Sequence, residues 1–402
     1  MCCNDTAQTG KTAMDLPTIL AAGGLAVPLG GHLGTAVLAA IRFHQPRINP
    51  SRFHRVDVPP VTILRPVCGI EAAEQETLRS TFDVRAPTIE IIFCAAREDD
   101  AAVPFVQQLI AAHPNHDARL LIGEDGPGVN KKLDNARKGW WAAKHDWVAM
   151  ADSNVAMTPD YLENLFSAWR EDTGLVCAPP TGTEIRGFWG EVEAAILNGF
   201  QARWQYAADQ INCGFAQGKS MLFNKPLLES LGGISKLDRE IAEDAAATKT
   251  IAEAGLKIRL ATRLIAQPVG ERTARQVLKR QARWAQLRRH SFPLLYLTEI
   301  FTSLWAPLTS AIILADTFDL SMWALVTAVV ALWFGAEVAV AMVAGWPITL
   351  RSMAAILVRE ACGPLIWLAG FRPRPFGWRN PMTHEMKPGS EFGQVATAEA
   401  KR

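Results

Sequence analysis

The sequence predicts an α/β domain with a parallel sheet, flanked at both ends by membrane helices. Two observations predict this. The first and last parts of the chain carry long uncharged apolar runs, whereas the middle alternates short β-rich runs with helix-like segments. The charges also balance, 41 Lys+Arg against 40 Asp+Glu in 402 residues. A net charge of +1 excludes a disordered polyelectrolyte and a nucleic-acid coat, so no nucleic-acid partner is expected.

Residues 16–41 contain no charged side chain and are followed by Arg42, Arg47, Arg52 and Arg55. That length spans a hydrocarbon core, and it exceeds the h-region of a cleaved signal peptide. Basic residues after the run place the chain from Arg42 onward in the cytoplasm. Gly23-Gly24 and Gly30-Gly31 are expected to serve close helix packing.

Residues 59–290 read as one cytoplasmic domain. Val61-Thr-Ile-Leu64, Ile89-Glu-Ile-Ile-Phe-Cys94, Arg119-Leu-Leu-Ile122 and Trp147-Val-Ala-Met-Ala151 are strand-like. Ligands of parallel sheets collect at the carboxyl ends of strands. The residues just past those ends include Asp99-Asp100, Glu124-Asp125 and Asp152-Ser-Asn154. Lys131-Lys132 is expected on a solvated face. Gly218-Lys-Ser220 lacks the upstream Gly of a phosphate loop, since Cys213 stands there. The seven Cys show no paired spacing, and Cys68, Cys94, Cys177 and Cys213 are expected as reduced core residues. Cys2-Cys3 is expected in an unstructured terminus.

Residues 292–371 hold three apolar stretches, 292–315, 320–346 and 353–371. Glu299 lies in the first, and Arg359-Glu360 in the last. Ionisable groups at membrane depth must face protein or water. Two crossings plus one interfacial segment would return the tail, residues 372–402 with Arg372, Arg374 and Arg379, to the cytoplasmic side.

Asp100, Asp152 and Asp244, followed after 35 intervening residues by Arg280-Gln-Ala-Arg-Trp284, form an ordered set. Further blocks are Ile63-Leu-Arg-Pro-Val-Cys-Gly69, Asp117-Ala-Arg-Leu-Leu-Ile-Gly123, Pro159-Asp-Tyr-Leu162 and Ile241-Ala-Glu-Asp244. In these residues, over nearly its whole length, the chain resembles the ceramide glucosyltransferase family. Its members are inverting, membrane-bound glycosyltransferases with a GT-A-like fold, that of nucleotide-diphospho-sugar transferases. Asp152-Ser-Asn154 departs from a DxD by lacking the second acid.

The resemblance implies a general base at Asp244 and donor binding by Asp100, Asp152, Arg280, Arg283 and Trp284. The chemistry agrees. A carboxylate can accept from a uracil N–H or ribose hydroxyls, and guanidinium forks suit a diphosphate. Asp152 would be the protein ligand of a divalent cation, Mg2+ or Mn2+. The expected donor is a UDP-sugar, glucose foremost, and the expected acceptor is the primary hydroxyl of ceramide. Residues 272–290 are expected as a basic helix resting on membrane lipids, with Glu299 lining a polar slot. No obligate protein partner is implied. The expected location is a multi-pass membrane protein, in the inner membrane if the source is bacterial. Alternatives are N-acetylhexosamine transfer to a hopanoid or other lipid alcohol, a polysaccharide synthase subunit, and a non-enzymatic scaffold.

Overall fold

The computed structural model describes residues 15–48, 57–123, 126, 128 and 130–372. Cys2, Cys3, Arg52, Arg55, Glu124, Asp125, Arg374 and Arg379 lie outside the described residues. In chain order the strands are β1 (Val61–Val67), β2 (Ile89–Ala95), β3 (Asp117–Ile122), β4 (Trp147–Ala151), β5 (Thr173–Cys177), β6 (Pro180–Arg186), β7 (Ser220–Asn224), β8 (Lys257–Leu260) and β9 (Ile265–Glu271). The helices before the last strand are α1 (Leu16–Ile48), α2 (Ala72–Arg79), α3 (Ala102–Ala112), α4 (Lys131–Ala142), α5 (Tyr161–Phe166), α6 (Gly187–Ala195), α7 (Arg203–Gln210), α8 (Lys225–Ser230), α9 (Gly233–Lys236) and α10 (Glu243–Glu253). After it come α11 (Ala274–Ser291), α12 (Pro293–Thr298), α13 (Trp305–Thr317), α14 (Met322–Ala344) and α15 (Leu350–Ala369).

Seven strands form one sheet in the order β3-β2-β1-β4-β7-β5-β8, and β6 and β9 pair in a second, two-stranded sheet. Strands β3, β2, β1 and β4 run parallel, as the alternating pattern implies. Every residue of β1 is buried because helices cover both faces of the sheet. Ile63 sits between Ile91 and Ala149 in register.

Strand β7 departs from that expectation, because it runs antiparallel to both β4 and β5. Its register sets Ser220 opposite Ala151. Lys219 therefore lies beside Asp152, whose N–H donates to the Lys219 carbonyl at 3.0 Å. The reversed strand thus delivers the loop before it to the carboxyl end of β4.

Two of the four named cysteines, Cys94 and Cys177, are buried as expected, and Cys68 is half-buried. Cys213 is exposed instead, just past the left-handed Asn212 that ends α7.

By length and composition α1, α14 and α15 could each cross a membrane, and the pair Pro293–Thr302 and Trp305–Thr317, bent by 56°, could form one more span. Helix α1 packs on α13, α14 and α7. Of the four N-terminal glycines only Gly24 makes the expected close approach: a Cβ there would strike the Ser310 hydroxyl, whereas Gly23, Gly30 and Gly31 face open space. Helix α15 differs from the others in packing mainly on α6 and α11 of the sheet domain. Its Leu350, Leu357, Leu365 and Leu368 are exposed on the other side.

An ion cluster joins these parts. Glu337 of α14 pairs with Arg203 at 2.7 Å and with Arg359 at 3.0 Å, all three buried. Arg203 opens α7 directly after a π-helical turn, Ile196–Ala202. A Cβ at Gly199 of that turn would lie 2.7 Å from Glu337 Oε2, so the turn takes its place against the two charges through a missing side chain. The Glu360 carboxylate accepts from Arg359 at 2.7 Å and from the Leu304 N–H at 3.0 Å.

Candidate active site

The fourth strand ends in Asp152, and Arg65 holds its turn. The buried Arg65 guanidinium donates to the carbonyls of Asp152, Ser153 and Val155 at 2.9, 3.2 and 3.1 Å. Three carbonyls on one fork fix the turn before any substrate arrives.

Both oxygens of the Asp152 carboxylate are taken by lysines: Lys132 Nζ lies 2.5 Å from Oδ1 and Lys219 Nζ 2.8 Å from Oδ2. Lys132 also donates to Glu243 Oε1 at 2.5 Å and to the Gly218 carbonyl at 2.9 Å. Lys219 donates further to Asn154 Oδ1 at 3.0 Å. Burial alone would push the Lys132 pKa down, but Asp152 and Glu243 outweigh it and raise the value. Burial would likewise raise Asp152, yet the two ammonium groups outweigh it and lower the value.

This position of Lys132 corrects the expectation of a solvated Lys131-Lys132 face. Lys131 is exposed and Lys132 is buried. Asn130 sets the phase as the N-cap of α4, its side chain accepting from the N–H groups of Lys132 and Leu133 at 3.0 and 3.1 Å. The same side chain donates to Glu243 Oε2 at 2.8 Å. Neither the sequence position of Lys132 nor that of Lys219 marked it as part of a site.

Asp244 opens α10 beside this cluster. Its Oδ2 accepts from the Gly218 N–H at 3.0 Å and its Oδ1 from the Ala245 N–H at 2.8 Å. Gly218 thus touches Asp244 through its amide and Lys132 through its carbonyl. Burial, and next the neighbouring Glu243, push the Asp244 pKa up to about 6, against the pull of the Gly218 N–H. A carboxylate so tuned can take up a proton near neutrality.

The remaining expected residues are spread around this centre. Asp100 follows β2, its carboxylate accepting from the N–H groups of Gly69, at 2.8 and 3.0 Å, and Ala102, at 2.8 Å. Gly69 turns there with φ +64°, in the left-handed region. Arg280, on α11, pairs with the fully buried Glu193 at 2.8 Å. A small cavity is lined by Arg280, Arg272, Asn154, Glu71, Glu74 and Thr77. Arg283 is half-buried, and Trp284 packs on Ala194, Leu197 and Val269.

Helix α11 is less free than a membrane-surface helix. Arg272 donates to Glu71 at 3.1 Å, and Arg288 takes both oxygens of Glu299 at 2.6 and 2.8 Å. Glu299 therefore closes an ion pair and lines no slot. Arg275, Lys279 and Arg289 are the exposed cations.

A divalent cation is a poor fit to this donor set. Among the described residues no group of three or more His, Cys, Asp or Glu could hold a metal ion. Asp152 and Asn154, where the sequence places the ligand, are bridged by Lys219 instead.

Comparison with known proteins bears on the fold and the family. A mannosyltransferase from Pyrobaculum calidifontis, solved in complex with GDP-Man and Mn2+, superposes with a TM-score of 0.52 over 86% of this chain and 99% of its own, at 18% identity. The GT-A-like fold is shared. Ceramide glucosyltransferase 1 of Caenorhabditis elegans is 27% identical over 61% of this chain, and the match spans 54% of that relative. Ceramide glucosyltransferase 3 of the same organism is 24% identical over 86% of this chain and 77% of its own length. The chain thus spans about half the length of the first of these relatives. The family model described as glycosyl transferase family 21 matches residues 27–390, which takes in the β4 end, the Asp244 helix and Arg280-x-x-Arg283-Trp284 alike. The chain belongs to glycosyl transferase family 21.

Proposed function

We propose that the protein transfers a hexose, glucose foremost, from a UDP-sugar to the primary hydroxyl of ceramide with inversion at the anomeric carbon. The observation that carries this reading is Asp244, a carboxylate with its pKa near 6 tied through Gly218 to the cationic end of β4. The relatives' names support the sugar and the lipid.

In this reading the acceptor hydroxyl meets Asp244 on the face opposite the UDP. Asp244 takes the hydroxyl proton as the oxygen–carbon bond forms. The bond from the anomeric carbon to the diphosphate oxygen breaks, and its electron pair leaves with UDP. Lys219, Arg280 and Arg283 balance the charge that develops on the leaving group. Asp100 binds the nucleoside, and Trp284 shapes the acceptor side. The resemblance implies a divalent cation, but Lys132 and Lys219 already occupy both oxygens of Asp152, so the charge balance is assigned to protein groups.

The packing of α15 supports two crossings after the sheet domain, the bent pair Pro293–Thr302 with Trp305–Thr317 and then α14, with α15 lying along the surface and its exposed leucines in the lipid. The catalytic domain then lies on the cytoplasmic side. In this reading the acceptor's headgroup lies at the level of α11.

The test is Asp244→Asn in the full-length protein in detergent, assayed with UDP-glucose and ceramide. The amide keeps the shape and loses the basicity, so transfer should fall by about 10²–10⁴-fold while UDP binding stays. Near-normal turnover would remove Asp244 from the mechanism. Faster transfer to a hopanoid polyol than to ceramide would overturn the acceptor.

A further inference from the structure

We propose that Lys132 and Lys219 take the place of a protein-held divalent cation, so that this chain binds the diphosphate of its nucleotide donor without metal. The proposal rests on the reading of the chain as a nucleotide-sugar transferase and deepens it at the donor site.

The geometry at the end of β4 carries the proposal. A metal there would bridge Asp152 and the residue two positions on. Lys219 Nζ makes that bridge, at 2.8 Å from Asp152 Oδ2 and 3.0 Å from Asn154 Oδ1. Lys132 Nζ fills a cage of three oxygens, Asp152 Oδ1, Glu243 Oε1 and Gly218 O, at 2.5 to 2.9 Å. The three N–H bonds of the ammonium saturate those three oxygens.

The substitution is built into the chain rather than a chance contact of long side chains. Lys132 sits in the first turn of α4 with its phase set by Asn130, and Asn130 holds Glu243 by its other end. Lys219 is set by the register of β7 against β4. Position 154, an acid in a DxD, is an amide that accepts from the lysine. Two lysines against Asp152 and Glu243 leave the cluster neutral. A divalent ion added to it would face two buried ammonium groups, and both Asp244 oxygens already accept from the Gly218 and Ala245 amides.

The cluster also has a cation left to offer. Lys132 spends all three of its N–H bonds within the cage, but Lys219 uses two on Asp152 and Asn154. Its third can reach a phosphate oxygen. Burial lowers the Lys219 pKa against the pull of Asp152, with smaller repulsions from Lys132 and then Arg280, and Arg280 lines the cavity that Asn154 borders. A diphosphate at the mouth of that cavity would meet Arg280 directly and Lys219 across Asn154, to which the lysine donates. Lys132 acts as a positioning residue that holds Asp152 and Glu243 in place.

The experiment is calorimetric titration of UDP into the full-length protein in detergent, first after exhaustive chelation with EDTA and then with Mn2+ restored. Chelation should leave the UDP dissociation constant within about threefold. Lys219→Gln should weaken it by about tenfold, the worth of one charge-assisted hydrogen bond, and Lys219→Arg should restore most of that. With Mn2+ and UDP present, adding the protein should lower the electron paramagnetic signal of free Mn2+ no further than UDP alone does. UDP binding that vanishes on chelation and returns with Mn2+ would overturn the inference and leave the transferase reading intact. Absence of UDP binding with and without Mn2+ would overturn both. The wild-type chelation result decides the matter even if a lysine variant fails to fold.

Discussion

Glu193, fully buried on α6, holds the Arg280 guanidinium of α11 at 2.8 Å and thereby aims it toward the cavity beside Asn154. A guanidinium steered by one buried carboxylate keeps its direction only while that charge remains. Glu193→Gln should raise the KM for UDP-glucose by about tenfold with a smaller change in kcat, since the charge-assisted bond is lost but Arg280 stays. Steady-state kinetics of the detergent-solubilised protein would read this. An unchanged KM would separate Arg280 from the donor.

The pH profile follows from Asp244. Its folded pKa is raised to about 6, and the base acts ionised, so kcat should climb as pH rises through about 6 and level off above about 7. Below the pKa the rate should fall about tenfold per pH unit. A flat profile between about pH 5 and about pH 8, the range in which near-neutral groups change charge, would mean another group takes the proton.

Membrane and sheet domains meet at Glu337, which pairs with Arg203 and Arg359. Glu337→Gln leaves the buried Arg203 guanidinium without its counter-charge and Arg359 with Glu360 alone. Removing one partner of a buried ion pair costs about 3–5 kcal/mol, so thermal unfolding in detergent should move down by several degrees. The double variant Glu337→Met with Arg203→Met should recover part of that loss, because Arg359 keeps Glu360 and no lone charge stays behind.

Helix α4 rests on the sheet through Gly139, where a Cβ would strike Leu64 and come within 2.6 Å of Cys94 Sγ. Gly139→Ala should destabilise the protein by about 1–3 kcal/mol through overpacking. Because Lys132 rides on the same helix, UDP affinity should drop together with stability. A melting temperature equal to that of the wild type would show that the helix can lift without strain.

The strand-end acids were legible because a buried strand prints its length in apolar residues and its end in the first polar ones, as at Ala151 to Asp152. The antiparallel course of β7 was not legible. Ser220–Asn224 is a short apolar run, and direction leaves no trace in such a run. Lys132 was hidden for a related reason. A lysine doublet reads as solvated, and only the helix phase set by Asn130 turns one member inward and the other out. Glu360 and Arg359 looked costly in an apolar stretch, yet they answer Leu304 and Glu337, partners 56 and 22 residues away that local pattern does not reveal. The Glu193 partner of Arg280 lies 87 residues back and was invisible for the same reason.

Arg42, at the catalytic end of α1, donates to the Leu260 carbonyl of β8 at 2.8 Å and pairs with Asp209 at 3.4 Å, while the neighbouring Phe43 stands edge-on to Tyr206. The first helix is therefore a wall of the sheet domain as well as a candidate membrane span. A cut between residues 41 and 59 would strip the edge strand β8 of the Arg42 cap and the Asp209 carboxylate of its guanidinium partner. Residues 59–290 moved onto another membrane stem would need a replacement for both contacts, so the first helix and the sheet domain of this chain are bound to each other's sequence.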